Sequence, residues 1–153
     1  MTIDPDRSFE EKVDGLLAAG QEYLDLPNGF LTRIEPDTGD GTQTIVDARG
    51  SHDLLQPGES CPLPQSYCRR TIGRDDLMTI TNAAKTGWEG DPAHDLFGLE
   101  TYIGGEVTAG GELYGTLCFA ATESRSKEFT ETERSFVGLL RRWAGYEIER
   151  END

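Results

Sequence analysis

Lysine is almost missing from this chain. It occurs only at Lys12, Lys85 and Lys127, so arginine supplies most of the 14 basic residues, which face 29 acidic ones. The resulting formal charge of −15 repels phosphate backbones and anionic lipid surfaces, which argues against nucleic acid and membrane as partners. The acids are spread along the whole sequence. That spread fits adaptation to a concentrated-salt cytoplasm, where screening makes an acid-rich surface tolerable. A local acidic face for docking a basic partner is the competing explanation.

Cysteine and histidine are scarce too. Cys61, Cys68 and Cys118 are odd in number and show no C-x-x-C spacing, which argues against a disulfide framework and a zinc site. The two histidines, His52 and His94, allow only His52-Asp53 or Asp91-x-x-His94-Asp95 as metal-ligand groupings, and the second reads better as an acid-capped helix. No Gly-rich phosphate loop, Ser/His/Asp set or HExxH pattern occurs. No cofactor is expected. Also missing is any apolar run near the ~20 residues of a membrane span. The acidic Asp4, Asp6, Glu10 and Glu11 stand where a signal peptide would be basic and apolar. A soluble, cytoplasmic protein is expected.

What the chain does have is regular punctuation. Its 153 residues suit one domain over 1–153, with a core at about 9–150 that buries roughly two-thirds of its unfolded surface. Ser8 and Glu11 form a capping box ahead of a helix to about Leu24, with Phe9, Val13, Leu16, Leu17 and Leu24 on one face. Phe30, Thr32 and Ile34 mark a strand, and Thr42 to Ala48 a second, joined through the turn formers from Pro36 to Gly41. Gly50 to Pro64 reads as an irregular loop, Pro64 to Ile72 as a short helix, and Leu77 to Ile80 as a brief strand. Thr81 to Gly90 gives no periodic signal. Asp91, Pro92 and Gly98 supply the N-cap, first turn and terminator of another short helix. Thr101 to Thr108 and Glu112 to Ala120 form a second hairpin across Ala109-Gly110-Gly111. A second capping box, Thr130 with Glu133, opens a last helix to about Glu149. Its apolar residues, from Phe136 to Ile148, spread over more than one stripe, as a helix burying two sides would require. Sequential hairpins with helices gathered on them predict an α+β domain with an antiparallel sheet.

Three segments carry a resemblance to a known family. Leu99-Glu100-Thr101-Tyr102-Ile103-Gly104-Gly105-Glu106-Val107, Glu112-Leu113-Tyr114-Gly115-Thr116-Leu117-Cys118-Phe119 and Phe129-Thr130-x-x-Glu133 occur in this order ahead of an apolar helix. In this order and spacing the chain resembles the GAF domain family from Phe9 to Arg150. The resemblance implies a central antiparallel sheet of about five or six strands. It places the N- and C-terminal helices on one face and a lid of loops and short helices, here Gly50 to Gly98, on the other. It also implies a non-enzymatic sensory or regulatory role. A small ligand would sit between sheet and lid, lined by Tyr67, Cys68, Trp88, Phe97, Tyr102 and Phe119, with Trp88 as the pocket wall in a mobile-looking stretch. The terminal helices would form a homodimer and relay the signal to an output domain, such as a histidine kinase or a transcription regulator. Both a stand-alone chain and one domain of a longer multidomain sensor fit this reading.

The resemblance also raises specific chemistries that the residues do not support. The family's cyclic-nucleotide motif needs adjacent Asn and Lys, whereas Asn82 and Lys85 are apart. The D-I-P tripeptide of bilin-binding members is missing, which leaves only Cys61 or Cys68 as tethers. The enzyme alternative is a free methionine sulfoxide reductase-like activity using Cys61, whose thiolate a following helix would favour. The Cys-bearing loop of those enzymes has no cysteine at His94 to Gly98. Gly104, Gly105 and Gly115 lie inside strands, where glycine weakens a sheet unless close packing or a bulge needs it. A ligand-free dimerisation scaffold is the third reading, and it requires the pocket to be filled by Trp88, Tyr102 and Phe119.

Overall fold

The computed structural model describes residues 8–37 and 39–151. The N-terminal helix α1 (Phe9–Leu24) starts where expected, with Ser8 Oγ accepting from the Glu11 amide at 3.1 Å. It ends at Asp25, which takes the left-handed conformation (φ 56°) and returns its N–H to the Gln21 carbonyl. Strands β1 (Asn28–Glu35) and β2 (Thr42–Arg49) pair antiparallel. β5 (Thr101–Ala109) and β6 (Glu112–Ala121) form the second hairpin. The C-terminal helix α4 (Glu131–Glu151) has a complete capping box, Glu133 N–H to Thr130 Oγ1 and Thr130 N–H to the Glu133 carboxylate.

Two differences from the sequence reading concern the lid. The loop after β2 contains a strand, β3 (Ser60–Pro62), too short to show periodicity and ending on a proline that has no N–H for a ladder. The single helix expected from Pro64 to Ile72 is two pieces, a 3₁₀ turn at Leu63–Gln65 and α2 (Cys68–Thr71), because Ser66 between them is extended. β4 (Met78–Ile80), a 3₁₀ turn at Ala83–Lys85 and α3 (Pro92–Phe97) complete the chain.

Among the described residues the six strands form one sheet in the order β3-β2-β1-β6-β5-β4, with every pairing antiparallel. Its middle is buried on both faces, and the register assigns the faces. Phe30, Cys118, Gly104 and Met78 form one cross-strand row, as do Asn28, Ala120, Tyr102 and Ile80. Both rows face the lid. The intervening row of Gly29, Phe119 and Ile103, and the row of Leu31, Leu117 and Gly105 beyond Phe30, face α1 and α4. Two apolar cores therefore share one sheet, one beneath the terminal helices and one beneath the lid.

The strand glycines are packing positions. A Cβ at Gly104 would sit 2.6 Å from the Tyr102 hydroxyl and 2.9 Å from the Cys118 sulfur. At Gly115 it would fall inside the Thr32 carbonyl oxygen, a backbone atom that no rotamer change can move. Gly115→Ala is therefore expected to cost about 2–3 kcal/mol of stability, read as a lower urea midpoint at unchanged slope. A change within ~0.5 kcal/mol would show that β1 and β6 do not approach this closely.

Candidate functional site

Five of the six side chains expected to line a ligand pocket converge on the lid face of the sheet. Tyr67, just before α2, is the hub: its ring lies 4.9 Å from Trp88, 6.3 Å from Phe97 and 5.5 Å, stacked, from Tyr102. Cys68 lies in the same cluster. The sixth residue, Phe119, does not. Alternation along β6 sends Thr116, Cys118 and Ala120 to the lid and turns Phe119 to the opposite face, against Gly20 of α1. Its place in a ligand pocket is corrected on that ground.

The stretch around Trp88 is ordered by its backbone. Trp88 N–H bonds the Ala83 carbonyl, and the Trp88 carbonyl accepts from Asp91. The indole is buried between Tyr67 and the Arg69 and Arg70 guanidiniums, which lie 5.5 Å and 4.6 Å from its ring. Both arginines pair with Asp91, the N-cap of α3. Trp88 thus plugs the lid from outside, and the centre of the expected pocket is filled by protein.

Beneath the rings lies a buried polar chain. The Tyr102 hydroxyl is 2.8 Å from Thr71 Oγ1 and 3.0 Å from Cys118 Sγ. Thr116 Oγ1 is 3.0 Å from Cys68 Sγ, 2.7 Å from Thr32 Oγ1, and accepts from the Cys118 thiol at 3.3 Å. Burial pushes the Cys118 thiol and Tyr102 phenol well up, so both stay protonated. Burial also opposes ionisation of Cys68, but the hydrogen bonds from Cys118, Thr116, Tyr102 and Thr32 outweigh it and hold that thiol lower than usual. Cys61 is different. It lies in β3, two residues before the 3₁₀ turn, and burial pushes its thiol up to about 11, opposite to the lowered thiol that the reductase alternative needs.

One space remains at the lid edge, a cavity of about 190 Å³ between β2, β3 and α3. The cross-strand partners Gln43 and Cys61 line it from the sheet, and Ile45, Leu54 and Phe97 supply apolar walls. Gln43 is only 3% exposed, and its amide oxygen has no hydrogen-bond partner. Its amide nitrogen reaches only the Cys61 sulfur, at 3.9 Å. His52 ties two walls of this cavity together: the Leu54 N–H donates to Nδ1 at 3.1 Å and Nε2–H donates to the Phe97 carbonyl at 2.7 Å. That pattern requires the neutral Nε2–H tautomer, since a second proton would set two N–H groups face to face. The sequence did not single out Gln43. Strand β2 reads Thr-Gln-Thr-Ile-Val-Asp-Ala-Arg, with no apolar alternation to mark the Gln43 position as inward. Among the described residues no group of three or more His, Cys, Asp or Glu could hold a metal ion.

Two carboxylates hold the lid. Burial works against ionised Asp91, but the Ala93 N–H with Arg69 and Arg70 lowers its pKa. Burial likewise opposes Glu100, and His94 with the Ala84 N–H lowers it. Depressed carboxylates contribute stability that is present above their ordinary pKa of about 4 and is lost as the pH falls through the lower folded values. Fluorescence of Trp88 in a Trp143→Phe background is expected to report the lid loosening below about pH 4, with a smaller loss in Glu100→Gln. A Trp88 signal flat from pH 7 to 3 would contradict this.

No protein-family model matches the chain. Diguanylate cyclase DgcP of Escherichia coli (strain K12) is 25% identical over 143 residues, covering 91% of this chain. The chain spans 41% of that protein's length. Among solved structures, the GAF domain of an Acinetobacter phosphoenolpyruvate-protein phosphotransferase superposes with a TM-score of 0.74 at 15% identity, over 97% of this chain and 86% of that one. The blue-light-absorbing GAF domain of Thermosynechococcus elongatus PixJ gives 0.72 at 14% identity, over 94% and 86%. A domain of a putative two-component sensor histidine kinase from Sinorhizobium meliloti 1021 gives 0.66 at 18% identity, over 95% and 93%. At these identities the likeness is one of architecture, and the chain has the GAF-domain fold.

Proposed function

We propose that this chain is a non-enzymatic sensory or regulatory domain in which a small ligand held at the lid shifts the terminal helices, and the helices bias an attached output domain in signalling or transcription regulation. The observation that carries the proposal is the two-sided use of β6. Thr116 hydrogen-bonds to Cys68 of the lid, and Cys118 to the Tyr102 hydroxyl of β5, which in turn bonds Thr71 of the lid, while Leu117 and Phe119 on the same strand pack under α1 and α4. A change in how the lid seats on β6 is transmitted to the helices through the strand, because a packed interior deforms little. The kinase and cyclase outputs named for the similar proteins support such a role. Cysteine catalysis is disfavoured by Cys61, whose thiol is held protonated at neutral pH. A tetrapyrrole such as the phycocyanobilin of other GAF domains is far too large for the space that remains under this lid.

Dimerisation belongs to the same proposal. The inward stripe of α4 (Val137, Leu140, Ala144, Ile148) packs on the sheet and α1. A second stripe, Phe136, Leu139, Trp143 and Tyr146, follows three- and four-residue steps on the outer side. Leu139 is 54% and Tyr146 47% exposed, and Tyr23 of α1 extends the patch by packing on Phe136 at 4.7 Å. A seam of this spacing fits a second copy of the helix pair.

A thermal-shift screen against a metabolite library in molar salt is expected to give at least one ligand that raises Tm in a concentration-dependent way. A library with no such compound would leave the scaffold reading instead. Light scattering is expected to give a dimer mass, reduced to a monomer by Leu139→Glu with Tyr146→Glu; a monomeric native protein would remove the helix seam.

A further inference from the structure

The cavity beside Gln43 has a chemistry of its own, and its features restrict what it can hold. Its volume of about 190 Å³ lies below the roughly 300–1,000 Å³ of sites for drug-sized ligands, so a full nucleotide does not fit. The buried, unpartnered polar atom in its wall is an acceptor, the Gln43 amide oxygen. An occupant therefore needs an N–H or O–H group to donate. No lysine or arginine lines the cavity, whereas Glu59 does. An anion would meet a carboxylate and a strongly negative protein without a countercharge. A cation would find a countercharge only at exposed Glu59, where water screens the pair, and would lose its hydration against the apolar walls deeper in. The deeper walls are aliphatic and aromatic, Ile45, Leu54 and Phe97, while Ser60 and Gln65 line the exposed side. At the rim stands Leu96, 40% exposed, a large apolar side chain lying away from the helix seam.

We propose that this cavity is a binding site for a small, uncharged, largely apolar molecule that carries one N–H or O–H donor, seated with its donor on the Gln43 amide oxygen and its apolar body against Phe97 and Leu54. The assignment rests on the sensory reading above and narrows its ligand class. His52 gives occupancy a route outward. It bonds the Leu54 amide and the Phe97 carbonyl, so a molecule that spreads these walls also moves the loop joining β2 to β3 and the end of α3. The Asn28 side chain accepts from the His52 amide at 3.3 Å, which carries the same displacement to the start of β1.

The test compares indole with indene, rings of nearly equal size of which only the first has an N–H. Both are titrated into the full chain and followed by backbone amide NMR shifts and calorimetry. Indole is expected to perturb amides at Gln43, Cys61 and Leu54 and to bind about fivefold or more tightly than indene, the difference one otherwise unmade hydrogen bond makes. Benzoate is expected not to bind. Gln43→Leu removes the acceptor while keeping the bulk, so its unliganded Tm is expected to be equal or higher and its preference for indole lost. Equal affinities for indole and indene in the native protein, or shifts confined to other parts of the surface, would overturn the proposal. Library ligands that bind the lid away from Gln43 would leave the sensory reading standing while this site falls. Indole bound at Gln43 with no shift anywhere in α1 or α4 would leave the site standing and remove the relay.

Discussion

The structure depends on β6 being buried from both sides. From Gly115 to Ala121 every residue of the strand is buried, and adjacent residues serve different cores. Leu117 and Phe119 close the layer under the terminal helices, while Thr116, Cys118 and Ala120 floor the lid. Each neighbouring element then has little freedom. Gly20 and Gly29 leave room for the Phe119 ring, and Gly115 lets β1 approach until a Cβ would overlap its carbonyl. A layer of helices and a layer of loops are thereby held in register by one strand, which makes the fold suited to passing small displacements from one face to the other.

The lid core is unusual in what it buries. Apolar rings cover a chain of hydroxyls and thiols running from Thr71 through Tyr102 and Cys118 to Thr116 and Thr32. Each member has a partner, so the chain avoids the cost of unmade hydrogen bonds and ties α2 to the sheet with directional contacts. The outer seal is polar: Arg69 and Arg70 form ion pairs with Asp91, and His94 Nε2 hydrogen-bonds the Glu100 carboxylate. This division gives a lid whose interior is fixed by hydrogen bonding and whose exterior responds to solvent. The cavity at Gln43 lies outside the fully satisfied chain, at the edge where a loop and a short helix meet the sheet.

Much of the architecture was legible in the sequence. Capping boxes at Ser8 and Thr130, the Asp91-Pro92 start of α3 and the Gly110-Gly111 turn are local signals, and the elements fall where these place them. β3 and the break at Ser66 were not legible, because three residues carry no periodicity and an extended serine leaves no mark in composition. Of the residues expected to line a ligand pocket, Tyr67, Cys68, Trp88, Phe97 and Tyr102 share one core cluster between the sheet and the lid. Phe119 was misplaced because its face depends on strand parity, and a shift of one residue reverses every side chain. Trp88 looked mobile between two glycines, yet two backbone hydrogen bonds and two arginines brought from α2 hold it.

The sequence by itself determined the kind of elements, their order and the acid-rich surface, since capping, alternation and charge are properties of neighbours along the chain. Tertiary structure alone decided which face each strand residue serves, that the lid interior is filled, and that Gln43 has an amide oxygen with no partner. Those outcomes depend on register between strands far apart in sequence and on which side chains meet across the sheet, and neither is encoded in any local window.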